Sequence, residues 1–122
     1  MSSGTSFIEI AKRSAETIER YRRELKKYLN VIKAIAKEYF GPDVKVYLFG
    51  SVLRGDYGPQ SDIDVAVVLA ERPPVEERMA FRSKLREELG LFHPFEIHIV
   101  GEAEWRGWYG RFLRGDWREV DG

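Results

Sequence analysis

The first third of the chain has apolar residues three and four positions apart, with charged residues between them. This spacing is typical of an amphipathic helix and predicts one over residues 6–40, ended by Gly41 and Pro42. A helix of that length would extend about 50 Å, which is long for so small a domain. We therefore expect it either to break in two or to project beyond the core. The apolar stripe either packs into the core or, over residues 6–20, covers a partner chain.

Three shorter apolar stretches predict strands. Residues 44–49 alternate loosely and are rich in β-forming side chains, whereas residues 62–70 are almost continuously apolar, as in a strand buried on both faces. In residues 94–100 the apolar side chains share one face, and Glu96 and His98 share the other. The chain thus has the pieces of a small sheet.

Two further helices are predicted after the second strand. The segment ERPP begins the first of them, because Pro74 suits the first turn of a helix. Its inward-facing positions are Val75, Met79, Leu85 and Leu89. The second helix covers residues 102–117. The resulting order, α-β-β-α-β-α, predicts an α/β (α+β) fold with a small mixed β-sheet flanked by helices that cover one face.

The predicted last helix carries one stripe of large apolar side chains. Its members are Trp105, Trp108, Tyr109, Phe112, Leu113 and Trp117. The stripe either closes the domain's own core or forms an interface, since Trp, Tyr and neighbouring Arg side chains are frequent interface anchors. Gly107 and Gly110 weaken the prediction of a helix here.

The composition fits a single domain over 1–122, with residues 1–5 disordered and the core motifs within 44–100. Twenty basic and twenty acidic residues cancel, so direct nucleic-acid binding is not expected. The absence of cysteine excludes disulfides, thiolate metal sites and a cysteine nucleophile. No stretch has the roughly 20 apolar residues of a membrane span, and the start lacks a signal-peptide pattern, so we expect a cytoplasmic protein with no membrane contact.

The candidate chemistry lies between the first two strands, in LFGSVLRGDYGPQSDIDVAVVL. Gly50 and Ser51 follow a strand and open a short helix, where backbone N–H groups can bind an anion; an ordinary turn is the alternative. Asp62 and Asp64 lie on one face of the next strand, about 7 Å apart. At an effective dielectric of about 20 they repel by about 2 kcal/mol, which bound Mg²⁺ would offset. A helix cap or a solvated strand entrance is the alternative.

Glu96 is the candidate third carboxylate. It points away from the apolar face of its strand, so it can reach the same metal site if that strand pairs beside residues 62–69. A solvent-facing acid is the other interpretation. His98 shares the face of Glu96, but we interpret it as structural or incidental, because hard cations prefer oxygen ligands.

These residues together resemble a known family. Gly50-Ser51, followed after ten residues by Asp62-x-Asp64, resembles the signature of the DNA polymerase beta-like nucleotidyltransferase superfamily, and the short chain resembles its minimal nucleotidyltransferase (MNT) group. The resemblance covers about residues 25–100. It implies that Asp62 and Asp64 bind divalent metal ions, Mg²⁺ or Mn²⁺.

The resemblance also implies roles for the other matching positions. Glu96 would be the third catalytic carboxylate, binding metal or activating the acceptor hydroxyl, although small members often have Asp there. Gly50 and Ser51 would bind the β- and γ-phosphates of ATP or another nucleoside triphosphate. Arg54 would contact a phosphate, or would pair instead with Asp56.

The activity implied is transfer of a nucleoside monophosphate, AMP from ATP, to an acceptor hydroxyl with release of pyrophosphate. Because little sequence follows the third acid, we expect the acceptor on another chain or on a self-associated surface. In the family, such transferases pair with small helical HEPN proteins in toxin–antitoxin modules, and some add AMP to a toxin tyrosine. The alternative from another class is a non-catalytic binding module that neutralises its partner by contact.

Overall fold

The computed structural model describes residues 16, 19–50, 53, 62–109 and 116–121, without the side chains of residues 108 and 109. Several predicted features lie outside these residues: most of the first half of the long helix, residues 1–5, Ser51, Arg54, and positions 110–115 of the predicted last helix. Within the described part of the chain, no helix is long and apolar enough to cross a membrane.

The long first helix is interrupted at Glu24. Residues 19–23 are helical, Glu24 has φ −107° and ψ 30°, and helix α1 extends over Leu25–Phe40. Helix α1 ends at Gly41, which adopts φ +99° and donates its N–H to the Lys37 carbonyl. The described residues thus show an interruption at Glu24, while the prediction that the first half projects beyond the core falls mostly outside them.

Four strands form one mixed sheet in the order β3-β2-β1-β4. Their bounds are Lys45–Phe49 for β1, Ile63–Leu69 for β2, Phe95–Gly101 for β3 and Trp117–Glu119 for β4. Strands β2 and β3 are parallel, and β1 is antiparallel to both β2 and β4. The three predicted strands and the mixed sheet are confirmed, and β4 is a strand that the sequence did not predict.

Helix α2, Val75–Leu89, packs with α1 on one face of the sheet. Its buried side chains are Phe81, Leu85 and Leu89. The prediction that Val75 and Met79 face inward is wrong, because they are 49% and 62% exposed. Each residue advances about 100° around a helix, so Val75 and Met79 lie about 80° and 120° from the centre of the buried stripe.

The core between the helices and the sheet is built from alternate strand residues. Val46 and Leu48 of β1 and Ile63, Val65 and Val67 of β2 all point to it. The opposite face has a smaller cluster, made of Tyr47, Phe49, Ala66, Val68, Val100 and Trp105. The sheet is therefore apolar on both faces, and its second face is the one that carries the candidate acids.

The predicted helix over residues 102–117 is wrong in its last part. A short helix α3, Glu102–Glu104, continues into a π-helix, Trp105–Tyr109, and the chain returns as β4. Trp105 is buried and stacks on Tyr47 with ring centroids 4.7 Å apart, so at this position the stripe belongs to the domain's own core. Trp117 is paired with Phe49 in the antiparallel β1–β4 ladder. Its backbone therefore hydrogen-bonds beside β1 as a strand and does not continue the helix that the aromatic spacing predicted.

Candidate active site

Asp64 and Glu96 lie side by side on adjacent strands. Strands β2 and β3 are parallel, and their register pairs Asp64 directly with Glu96 and Ala66 with His98. Alternation along both strands points these acidic and imidazole side chains to the face opposite α1 and α2. Glu96 therefore lies beside Asp64, as expected from the sequence if its strand pairs beside residues 62–69.

Three side chains converge closely enough to share one ligand. One atom each from Asp64, Glu96 and His98 lies within 4.8 Å of the other two. The Nε2 atom of His98 lies 3.4 Å from Asp64 Oδ1 and 3.8 Å from Glu96 Oε1. The side chains of Asp64 and His98 are 25% and 26% exposed, and that of Glu96 is 54% exposed. The cluster is thus open to a ligand from solvent.

The charged groups of this cluster shift the pKa of Glu96 in opposite directions. Burial raises the pKa of Glu96, and the carboxylates of Asp64 and Asp62 raise it further, while His98 acts in the opposite direction. A carboxyl group that is pushed toward its protonated form by neighbouring carboxylates marks a concentration of negative charge. A cation held between the two side chains would relieve that repulsion.

Gly50, which follows the last residue of β1, lies against the side chain of Asp64. It adopts φ +87°, and a β-carbon at this position would lie 2.7 Å from Asp64 Oδ2. Its N–H donates to the Asp116 carbonyl at 3.4 Å, and its carbonyl accepts from the N–H of Leu53. The turn predicted at Gly50 is present, and only glycine fits it because the backbone conformation and the carboxylate both exclude a side chain.

Asp62 is placed differently from Asp64. It is exposed and precedes the first residue of β2, so the sheet does not fix its backbone. It is not among the three residues whose ligand atoms converge, although its charge acts on Glu96. Ser51 and Arg54 lie outside the described residues. Of the sequence-predicted residues that the structure describes, Asp64 and Glu96 converge, Gly50 lies against Asp64, and Asp62 stands apart; His98 joins the converging pair.

His98 is the residue that sequence reasoning set aside. The sequence did indicate that His98 would lie near Glu96, since it follows two positions later on the same face of one strand. Its ring also packs on Phe49, with centroids 5.2 Å apart, so the apolar neighbour limits its orientation. A fixed imidazole beside Asp64 can orient that carboxylate or contribute a nitrogen ligand.

The donor set suits a hard divalent cation. Two carboxylates contribute the oxygen atoms that Mg²⁺ and Mn²⁺ prefer, and the exposed rim leaves room for water and phosphate oxygens to complete the coordination. The raised pKa of Glu96 and the tight approach of Gly50 to Asp64 both fit such a group. The arrangement can therefore hold a cation and place a carboxylate beside an incoming hydroxyl.

Comparison with known protein families agrees with this geometry. A family model described as a nucleotidyltransferase domain matches residues 18–115. The spectinomycin 9-adenylyltransferase of Staphylococcus aureus is 32% identical over 98 residues, covering 67% of this chain and 38% of that protein. A Methanocaldococcus jannaschii protein named "Putative protein adenylyltransferase" is 37% identical over 54 residues, covering 44% of this chain and 52% of that one. The chain therefore spans about two fifths to one half of these relatives.

Solved structures share the fold. A crystal structure of a "putative nucleotidyltransferase" superposes with a TM-score of 0.61 at 36% identity, over 76% of this chain and 97% of the other. The complex of a tri-AMPylated Shewanella oneidensis HEPN toxin with its MNT antitoxin gives a TM-score of 0.50 at 20% identity, over 78% and 70%. The second likeness concerns the fold alone.

Proposed function

This chain belongs to the nucleotidyltransferase domain family, and from that premise we propose that it transfers AMP from ATP to a hydroxyl group of a partner protein. The observation that carries the proposal is the register that pairs Asp64 with Glu96, with Gly50 packed against Asp64. This arrangement supports the nucleotidyltransferase resemblance found in the sequence, because one or two carboxylates together with substrate phosphates commonly hold Mg²⁺ in phosphate-transferring sites.

In this proposal Asp62, Asp64 and Glu96 hold divalent metal, Mg²⁺ or Mn²⁺. Metal bound there would stabilise the negative charge that develops on the phosphate oxygens. Gly50, Ser51 and Arg54 bind the β- and γ-phosphates. A second role stays open for Glu96, as the general base that takes the proton of the acceptor hydroxyl instead of binding metal, and its side chain is exposed enough for such a hydroxyl to reach it.

Atoms and electrons balance in the transfer step. The acceptor oxygen forms a bond to the α-phosphorus, and the bond from that phosphorus to the oxygen bridging to the β-phosphate breaks. The electron pair of that bond leaves with pyrophosphate, and the acceptor proton passes to Glu96 where Glu96 acts as the base, or to water where Glu96 binds metal. His98 keeps Asp64 in place from the neighbouring strand, at 3.4 Å. Positioning and charge stabilisation supply most of the rate enhancement in such a reaction.

The partner we propose is a small helical protein of the HEPN type, with this chain as the MNT antitoxin of a toxin–antitoxin module. Two comparisons support a protein acceptor: one relative bears the name of a protein adenylyltransferase, and one structural neighbour is a complex with an AMPylated toxin. The other candidate function is neutralisation of the partner by contact, without catalysis.

The test is a calorimetric titration of Mg²⁺-ATP into the wild type, Asp64→Asn and Asp43→Asn. The last substitution removes the same charge from an exposed turn after α1 and serves as the matched control. We expect the wild type and the control to bind Mg²⁺-ATP and Asp64→Asn to lose binding. Equal binding by all three proteins would contradict the proposed site.

A second assay separates the two candidate functions. Transfer of label from [α-³²P]ATP to a co-purified partner should be lost in Asp64→Asn, together with neutralisation of that partner. If Asp64→Asn still neutralises the partner completely, binding rather than catalysis is the function.

A further inference from the structure

A cleft of about 500 Å³ lies beside the candidate active site, with Glu96 among its lining residues. It follows the outer side of β3, which is the terminal strand of the described sheet, and its other wall is helix α2. Arg82, Arg86 and His93 also line it. One residue of the candidate active site and two arginines thus border the same cleft.

The basic side chains repeat along α2. Arg78, Arg82 and Arg86 are four residues apart, so they follow one another along the same side of the helix. Burial lowers the pKa of Arg82, and the charges of Arg78, Arg86 and Arg72 lower it further. The neighbouring guanidinium groups thus add to the effect of burial on Arg82.

No carboxylate in the described part of the chain forms an ion pair with Arg82 or Arg86. The nearby acids of α2, Glu87 and Glu88, lie beside Lys84 instead, at 3.9 and 3.2 Å. Arg86 has a long contact to the Ser83 hydroxyl, at 3.4 Å. The two arginines that line the cleft thus present positive charge that an anionic ligand would balance.

One exposed apolar residue, Leu91, lines the cleft, and Phe92 follows it in the chain. Leu91 and Phe92, in the turn between α2 and β3, are 66% and 89% exposed. Exposed large apolar side chains next to arginine are typical of a surface that binds another protein. The formal net charge of zero argues against a general attraction for nucleic acid.

We propose that the cleft between α2 and β3 binds an acidic segment of the partner protein, and that it guides the acceptor hydroxyl of that segment to Glu96. This inference rests on the proposed function, because it names the surface through which the acceptor reaches the site. Arg82 and Arg86 would pair with carboxylates of the segment, while Leu91 and Phe92 would contact its apolar side chains.

The test uses a synthetic peptide with one tyrosine flanked by aspartate and glutamate, labelled with fluorescein. Its binding is measured by fluorescence anisotropy for the wild type, for Arg82→Gln/Arg86→Gln, and for Arg23→Gln/Lys26→Gln. The last variant makes the same change in charge at two positions before and at the start of α1. We expect the α2 variant to bind about tenfold more weakly and the control to stay within about twofold. Equal affinity for all three proteins would overturn the proposal.

Three further measurements make the result specific. Circular dichroism and the thermal midpoint should match between the two double variants, since Gln maintains helix propensity. A single-stranded oligoribonucleotide of the same charge should bind more weakly than the peptide; tighter binding would overturn the assignment of a protein ligand. Titration of Mg²⁺-ATP should give the same affinity for all three proteins. Absence of Mg²⁺-ATP binding in the wild type would contradict the proposed function. Equal affinity of the three proteins for the peptide would contradict only the proposed role of the cleft.

Discussion

The α-carbon of Gly50 lies directly against the carboxylate of Asp64, so that a β-carbon at position 50 would be 2.7 Å from Oδ2. The end of β1 and the acid of β2 therefore fit together only without a side chain between them. Gly41 provides a natural comparison. It also has positive φ, +99°, but no heavy atom of the described residues lies within 4 Å of the place that its β-carbon would take.

Substitution of either glycine by alanine tests this contact. We expect Gly50→Ala and Gly41→Ala each to lower the unfolding free energy by about 1–3 kcal/mol, because both positions hold a backbone conformation that alanine rarely adopts. Only Gly50→Ala should also displace Asp64 and weaken Mg²⁺-ATP binding, by about tenfold or more. Chemical denaturation and calorimetry measure the two effects, and equal nucleotide affinity in both variants would contradict the close contact.

Much of the sheet could be predicted from the pattern of apolar residues. The apolar positions of residues 62–70 and 94–100 gave β2 and β3, and they placed Glu96 and His98 on the face opposite the core. Strand order could not be predicted in the same way, because neighbours in a sheet are chosen by packing between distant segments. The pairing of Asp64 with Glu96 was therefore conditional on a topology that only the structure supplies.

Strand β4 shows where periodicity fails. It is three residues long and exposed throughout, and its tryptophan continues a helical spacing that begins at Trp105. Pairing with β1 decides its conformation, and a single sequence carries no signal of that pairing. For His98 the sequence indicated the face of the strand but not the 3.4 Å approach to Asp64, because that distance depends on the pairing of β2 with β3.

The sequence pattern makes Asp62 and Asp64 equivalent, and the structure separates them. Strand β2 begins at Ile63, so Asp64 is held by the sheet while Asp62 precedes it. The register of a strand can be predicted more easily than its first residue. Both acids remain in the proposed metal site, and their environments differ.

His93 should make the stability of the protein depend on pH. Its Nδ1 accepts a hydrogen bond from the Phe95 N–H at 3.1 Å, which requires the unprotonated nitrogen. Burial, and then the charge of Arg86, lowers the pKa of His93 below its usual value of 6.5. The unfolded chain thus binds the proton more readily, and stability is lost as the pH falls below about 6.5.

The variant His93→Asn tests this dependence, because an amide oxygen can accept the same hydrogen bond without titrating. We expect the unfolding free energy of the wild type to fall more steeply than that of the variant as the pH is lowered from about 7 to about 5.5. Above about pH 7.5 the two curves should be parallel. A difference between the proteins that stays constant across the whole range would show that His93 does not contribute to the pH dependence.

Tyr21 anchors the helical stretch before Glu24 to the rest of the domain. Its hydroxyl donates to the carbonyl of Leu89 at the end of α2, and its buried ring packs on Phe95. Tyr21→Phe leaves that buried carbonyl without its donor, so we expect the free energy of unfolding to fall by about 1–3 kcal/mol. Tyr28→Phe is the matched control: its ring packs beside the same residues, but its hydroxyl donates to the partly exposed Glu24, at 3.3 Å.

Urea denaturation of the two tyrosine variants measures this difference. For the control Tyr28→Phe, the free energy of unfolding should fall by no more than about 0.5 kcal/mol, which is the usual range for surface substitutions. Equal losses would mean that the Tyr21 hydroxyl adds nothing to the docking of residues 19–23. In that case the packing of the two rings alone would hold this stretch.

Asp64→Asn should stabilise the metal-free protein while it removes the proposed activity. The substitution takes one negative charge from a cluster in which Asp64 and Asp62 raise the pKa of Glu96. Relief of such repulsion commonly adds about 0.5–2 kcal/mol of stability at functional sites. The thermal midpoint measured in EDTA at a pH of about 8 should therefore be higher for Asp64→Asn than for the wild type. It should be unchanged for the control Asp43→Asn.

Addition of Mg²⁺ should reverse that order. A cation that binds only the folded state stabilises it in proportion to its affinity, so the wild type and Asp43→Asn should gain thermal stability as Mg²⁺ is raised. Asp64→Asn should gain little, because it has lost a ligand. A wild-type midpoint that does not respond to Mg²⁺ and exceeds that of Asp64→Asn in EDTA would mean that Asp64 stabilises the fold through His98 and not a metal site.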